Sequence, residues 1–270
     1  MARTDTHCLP LEIDMSRFDN LVRNSVRNLT LLLLALAGTT ANAEEATPAL
    51  TPMPEALEVR FALSAVPPLL RDRATVYVLD TAKGYRIARQ GNSGIACLVE
   101  RTQWEFAEFR DDLFVPLCYD AAGMPYLQAI MDTAALRAQG LAADALKARL
   151  EPRFRDGTYV PRKAGLSYMV APVMRTIGPP DMRMHTMAMP HLMFYAPGLT
   201  NADIDAKPDL ADPASLRWPF IDRQGIDEHS YIIQMIGEAE KARILADEQS
   251  LVEDLCAHRT VLCLGQQHGH

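Results

Sequence analysis

Methionine and histidine are concentrated in residues 182–193, which read MRMHTMAMPHLM. If this stretch is a strand, its side chains alternate between two faces, and one face carries His185, Met187, Met189 and His191. Thioether sulfur is a soft metal ligand and imidazole a borderline one, so this face is a candidate Cu(I) site. The same pattern is typical of a core strand whose methionines fill irregular gaps, and Pro190 interrupts the ladder between the two histidines.

A second group places a histidine among carboxylates. Asp227, Glu228 and His229 stand just before a predicted strand. Histidines with carboxylates can ligate zinc or act as acid and base in hydrolysis, which makes His185, His191, His229 and Glu228 candidates for a metal-dependent hydrolase. The spacing matches no HExxH or similar motif, and a solvated loop with hydrogen-bonded histidines is the plain alternative.

Aromatic and acidic residues alternate between positions 104 and 119. Such a stretch could line an acidic pocket for a cationic or sugar ligand, or it could simply cover the end of a sheet. The residues concerned are the aromatic Trp104, Phe106, Phe109, Phe114 and Tyr119, and the acidic Glu105, Glu108, Asp111 and Asp112.

Several classes of chemistry lack their motifs. The sequence contains neither GxSxG nor SxxK, two motifs of nucleophilic catalysis. It also contains no GxGxxG after a strand, so we expect no nucleotide cofactor. The net charge of −7 disfavours nucleic acid as a partner, because binding to phosphates requires a basic face.

The elements that must position these groups follow from hydrophobic periodicity. Residues 55–65 have the spacing of an amphipathic helix, and Thr75–Asp80 and Ile95–Glu100 are typical of strands, which we expect to pair antiparallel. Residues 121–154 predict two helices joined at Gly140.

The second half of the chain predicts more strands and a final helix. Strands are expected over 166–172, 182–197 and 230–237, a long surface loop over 198–226, and a helix over 238–258. Strands and helices without strict alternation indicate a single α+β domain at 55–270, with a mainly antiparallel twisted sheet flanked by helices.

The N-terminal segment predicts export. Leu29–Gly38 is an apolar run preceded by arginines and followed by small residues, which is the pattern of a signal peptide over residues 1–43, with Met15 as the expected true start. We expect cleavage after Ala43, a flexible leader over 44–54, and a periplasmic or secreted protein. A run of about ten residues is too short for a permanent membrane anchor, which needs roughly twenty.

Export makes disulfides the expected state of the cysteines. Beyond residue 43 the chain contains Cys97, Cys118, Cys256 and Cys263, an even number in an oxidising compartment. Four cysteines allow three pairings. Pairing within 97–118 and within 256–263 closes the shortest loops and is the pairing we favour, with the other two left open.

Residues 189–203, MPHLMFYAPGLTNAD, resemble a segment of an uncharacterised family of exported bacterial proteins with a Pro-His-x-Met-Phe core. The resemblance extends to residues 94–100 and 231–241. It implies export and a shared fold but no activity, and it draws attention to His191 and His229. Here His229 follows Glu228, where the family pattern has a Pro-His-Gly-like turn.

Three functions are compatible with the sequence. The first is an exported soluble protein that binds a small molecule or an envelope component, or that is structural. The second is a metal-dependent hydrolase, and the third is a periplasmic copper-binding protein built on residues 182–193. Zinc and copper are thus the candidate cofactors, and whether the protein is an enzyme stays open.

Overall fold

The structure, a computed structural model, describes residues 48–107, 109–160 and 163–265. The predicted signal peptide, its start at Met15, its cleavage at Ala43 and residues 44–47 of the leader lie outside these residues. The described helices are α1 (Glu55–Ser64), α2 (Pro68–Arg71), α3 (Met124–Ala138), α4 (Ala143–Arg155), α5 (Glu238–Asp247) and α6 (Gln249–His258).

Ten strands form two sheets in this part of the chain. The larger sheet has eight strands in the order β2-β1-β3-β4-β5-β8-β10-β9, and β6 pairs with β7 in a separate sheet. The strands are β1 (Thr75–Asp80), β2 (Gly84–Arg89), β3 (Ala96–Glu100), β4 (Val115–Tyr119), β5 (Leu166–Met169), β6 (Met174–Gly178), β7 (Arg183–Met187), β8 (His191–Tyr195), β9 (Phe220–Arg223) and β10 (Ser230–Met235). The predicted α+β class with a mainly antiparallel sheet is confirmed.

The expected antiparallel pairing of the first two predicted strands is wrong. Strand β1 pairs parallel with β3, with Thr75 opposite Ala96. The reason is β2, a strand that the sequence did not reveal, which forms an antiparallel hairpin with β1 through Gly84. Because β2 occupies the outer edge of β1, the chain returns on the other side of β1 in the parallel direction.

The predicted single strand over 182–197 is also wrong, because it is two strands in different sheets. Strand β7 ends at Met187 and pairs with β6, whereas β8 begins at His191 between β5 and β10 of the larger sheet. Pro190 lies in the connection, in keeping with its inability to donate to a ladder. The strict alternation that placed four ligands on one face is therefore lost.

Two other segments differ in detail from the prediction. The expected loop over 198–226 contains the edge strand β9, and the expected helix over 238–258 is divided into α5 and α6 at Glu248. The pair of helices joined near Gly140 is confirmed. This glycine follows α3 with a positive φ of 81°, a conformation that glycine adopts without steric strain.

Helices cover one face of the larger sheet and part of the other. Helix α1 packs on one face, where Phe61 belongs to the same hydrophobic cluster as Val76 and Val99, and α6 packs against α1 and adds Leu255 to that cluster. Helix α3 packs on part of the other face, against side chains such as Leu98. The remainder of this second face is open and forms the floor of a cavity.

Two disulfides join Cys97 to Cys118 and Cys256 to Cys263, so the favoured pairing is confirmed. Cys97 and Cys118 stand directly opposite each other on β3 and β4, with Cα atoms 4.0 Å apart. Cys256, at the end of α6, ties that helix to the turn that follows it. The first bond therefore links two central strands, and the second closes a local loop.

Residues 48–54, expected to belong to a flexible leader, contact the domain. The amide and hydroxyl of Thr51 each donate to Asp111 at 2.7 Å, and Met53 is buried. The carbonyl of Pro48 accepts from Arg137 at 2.8 Å. None of the described helices has both the length and the apolar character needed to cross a bilayer.

Candidate functional site

The candidate site is a cavity of about 710 Å³ on the open part of the larger sheet, called here the sheet cavity. Its floor follows from the strand register, since Tyr119, Ser167, Met193 and Ile233 lie in one row across β4, β5, β8 and β10. Of these, Tyr119, Met193 and Ile233 line the cavity. The walls come from the β6–β7 hairpin, helices α3 and α4, and the loops at 103–106 and 208–216.

Side chains alternate between the two faces of β3, and this alternation places the carboxyl group of Glu100 on the cavity face. Ala96 and Leu98 pack on the cavity face of the sheet, and Cys97 and Val99 pack on the opposite face. Glu100 therefore points to the cavity face and lines the cavity. The last residue of β3 is thus an acidic residue at a position where the alternation of the strand would predict an apolar core residue.

Glu100 is buried and has no partner among the described residues. Its exposed fraction is 8%, and its carboxyl, which faces the cavity, accepts no hydrogen bond from the described residues. Burial, followed by the nearby charge of Glu105, raises the pKa of Glu100 well above its usual value. A buried carboxyl without a donor is costly, and natural proteins retain such groups mainly where they serve a function.

Two more carboxylates stand near Glu100. Burial, together with the charge of Asp222, raises the pKa of Glu105 to about 7. Asp222 is reached by solvent from the cavity, but the crowding of protein atoms around its carboxyl still raises its pKa. We call Glu100, Glu105 and Asp222 the carboxyl cluster, because the charge of Glu105 raises the pKa of Glu100 and the charge of Asp222 raises that of Glu105.

The loop that carries Glu105 is held in place by aromatic packing. Trp104 stacks on Phe154 of α4 with ring centroids 5.2 Å apart, and it also lies against Gly225. A Cβ at Gly225 would lie 3.1 Å from the Trp104 ring, and its φ of 75° favours glycine. From α4, Lys147 donates to the Glu105 carbonyl at 2.9 Å. The loop is thus anchored on two sides.

His191 presents a defined nitrogen to the sheet cavity. Its Nδ1 is 2.8 Å from the carbonyl oxygen of Met189, which can only accept, so Nδ1 carries the proton. The remaining nitrogen, Nε2, has no hydrogen-bond partner among the described residues, and the residue lines the cavity. Burial lowers the pKa of His191, which keeps the ring neutral and Nε2 an acceptor.

Methionine is unusually common around this histidine. Five methionines line the same cavity as His191. Met187 packs on the edge of the same hydrophobic cluster without lining the cavity. The methionines concerned are Met169, Met174, Met182, Met189 and Met193.

The other predicted histidines lie elsewhere. His229 is fully buried, donates from Nε2 to the Tyr159 carbonyl at 2.9 Å and packs edge-on against Tyr126. His185 is on β7, with Nε2 2.5 Å from Asp181. Glu228, next to His229, is exposed.

The register separates the two buried histidines. His191 is opposite Met235, at one end of the β8–β10 ladder, and His229 precedes the other end. Six residues of extended chain correspond to roughly 20 Å. Within the described residues, no group of three or more His, Cys, Asp or Glu side chains is arranged to hold a metal ion. The structure thus does not bring together the residues of the predicted zinc hydrolase.

The aromatic and acidic stretch divides between two environments. Trp104, Glu105, Phe106 and Tyr119 line the cavity, in agreement with the predicted acidic pocket. Asp111 and Asp112 instead form ion pairs with arginines, including Arg101–Asp111 at 3.0 Å and Arg110–Asp112 at 2.6 Å. Glu108 lies outside the described residues.

Sequence reasoning missed Glu100, Asp222 and Tyr231 as site residues. A signal for Glu100 was available, because in the apolar run IACLVE the glutamate follows Leu98 with the spacing of the core face. No comparable signal existed for Asp222, since it lies on β9, opposite Tyr231, within an expected loop.

Comparison with known proteins gives no further guide to the site. No protein-family profile, no curated protein and no solved structure matches this chain.

Proposed function

We propose that this chain is an exported, non-catalytic binding protein that holds a small, largely apolar molecule in the sheet cavity. The observation that carries the proposal is the cavity itself. Its volume of about 710 Å³ falls within the range of small-molecule sites, about 300–1,000 Å³. Its floor is apolar, and Glu100 and His191 offer it polar atoms without partners, which is the composition typical of ligand pockets.

Export is supported by the disulfides and by the N-terminal pattern. Two disulfides formed from four cysteines favour an oxidising compartment. Together with the basic, apolar and small-residue regions before Glu44, they support a signal peptide cleaved after Ala43 and a periplasmic or secreted location.

Binding can be tested with the neutral fluorescent probe N-phenyl-1-naphthylamine, whose emission rises in apolar surroundings. We expect the full chain to bind it and Met189→Trp to bind it at least about tenfold more weakly, because the larger ring fills the cavity. Met131→Trp is the matched control, since Met131 is half-buried on α3 but does not line the cavity. Absence of probe binding, or equal loss in both variants, would overturn the proposal.

A second candidate function is binding of Cu(I). The observation that favours it is that five methionines line the same cavity as His191, whose Nε2 is free, so the cavity offers soft and borderline ligands. Elemental analysis of untagged protein would then find stoichiometric copper, and His191→Phe would lose it while Met131→Leu would retain it. Copper retained by His191→Phe would exclude this site.

A further inference from the structure

The charged residues that line the sheet cavity include more acidic than basic side chains, and the two groups differ in whether they have partners. The acidic ones are the carboxyl cluster and Glu151, and the basic ones are Lys147 and Arg223. Both basic side chains already have partners, because Lys147 donates to the Glu105 carbonyl and Arg223 pairs with Asp227 at 2.5 Å. The cavity therefore holds more acidic than basic groups, and a cationic occupant would favour the ionised form of the carboxyls.

Glu100 lacks a donor and a counter-charge. It is more than nine-tenths buried, it faces the cavity, and no described residue donates to it. An ammonium group offers three N–H donors and a positive charge, so it would supply both. Such charge-assisted hydrogen bonds are stronger than those of neutral donors.

The remaining lining suits an organic cation with a hydrocarbon body. The aromatic residues Trp104, Phe106, Tyr119 and Tyr231 line the same cavity, and aromatic faces attract cations. Leu117, Met193 and Ile233 form an apolar floor that a hydrocarbon chain would cover.

We propose that the sheet cavity selects an amphiphilic organic amine, with the ammonium group against Glu100 and the hydrocarbon body along Leu117, Met193 and Ile233. This inference rests on the proposed binding function and names its ligand class. The amine is bound by ion pairing and burial, with no covalent step.

Displacement of N-phenyl-1-naphthylamine by three ligands of equal chain length tests the inference. Octylamine, octanol and octanoate share a hydrocarbon body and differ only in the head group. We expect octylamine to displace the probe at concentrations about tenfold below those of octanol, because one charge-assisted contact is worth roughly that factor. Octanoate should displace it least.

Variants show whether the preference comes from Glu100. Glu100→Gln is expected to bring octylamine and octanol within about threefold of each other while leaving octanol unchanged. Glu58→Gln is the matched control, since Glu58 is also buried but packs with α1 on the opposite face of the sheet. Glu105→Gln, on a loop, serves as a second variant with a milder loss.

The outcomes separate the two proposals. Failure of the probe to bind would overturn the binding function itself. Binding of the probe with no preference for octylamine would overturn the amine inference alone. A preference that survives in Glu100→Gln would also overturn it, because the selecting group would then lie elsewhere.

Discussion

Acidic and basic side chains in the sheet cavity are both shifted toward their neutral forms. Burial raises the pKa of Glu105 to about 7 and lowers that of His191, because a low-dielectric surrounding disfavours charge of either sign. At neutral pH the imidazole therefore presents an uncharged acceptor, while Glu105 is divided between its two forms. At neutral pH the cavity therefore offers both hydrogen-bond donors and hydrogen-bond acceptors.

At the same scale, Glu100→Gln is expected to stabilise the protein at about pH 8 by about 1–3 kcal/mol. The folded state holds the pKa of Glu100 above its unfolded value of 4.5, so folding stability falls as the pH rises above that value. Glutamine does not ionise and lacks this loss, so the variant should differ little from the parent below pH 4.5. Urea unfolding at the two pH values measures the difference, and a variant less stable at both would indicate that Glu100 has a structural partner.

At the scale of elements, a buried carboxyl group on α1 forms a hydrogen bond to the sheet. Glu58 accepts a hydrogen bond from the amide of Leu79 on β1 at 2.8 Å. Burial raises the pKa of Glu58, and the Leu79 amide and nearby arginines partly offset this rise, which leaves the pKa at about 7. This group is satisfied, in contrast to Glu100, and we assign it a structural role.

Two substitutions of Glu58 should have opposite effects. Glu58→Gln keeps an acceptor for Leu79 and cannot ionise, so it should remove the fall in stability between pH 4.5 and about 7. Glu58→Ala leaves the Leu79 amide buried and unpaired, which should cost about 1–3 kcal/mol at any pH. Thermal unfolding across this pH range measures both, and equal stability of the two variants would contradict the role of the hydrogen bond.

The elements were largely predictable because their periodicity is local. Helices α1, α3 and α4 and strands β1, β3 and β10 follow from apolar spacing alone. Strand β2 was missed because its residues, GYRIAR, carry two arginines and are mostly partly buried or exposed, so they lack a clear apolar face. The parallel pairing of β1 with β3 depended on that missing strand, so it could not be inferred.

The site was less predictable than the elements, because it is assembled across distant segments. His191 was named from its neighbours in sequence, and Trp104, Glu105 and Tyr119 from their alternation. Asp222 reaches the cavity only because β9 pairs with β10 at the sheet edge. The grouping of the three histidines failed for two reasons: His185 lies in a different sheet from His191, and His229 lies at the opposite end of the β8–β10 ladder.

At the scale of the whole molecule, we expect the mature chain to begin at Glu44. Small side chains at Ala41 and Ala43 suit the peptidase, and the following acidic residues resist continuing a helix. N-terminal sequencing of protein recovered from the envelope or medium of a bacterium that expresses the full chain measures the start. An intact N-terminus, or recovery from the cytoplasm alone, would contradict export.

The bond between Cys97 and Cys118 has a consequence for the geometry of the cavity. In a ladder, a slip of one residue moves every side chain of a strand to the other face. Because these cysteines stand directly opposite each other, their oxidation fixes β3 against β4 in a single alignment, with Glu100 opposite Val115. In a hairpin with a shifted register the two thiols would lie apart. The disulfide therefore forms only in the register that places Glu100 on the cavity face of the sheet.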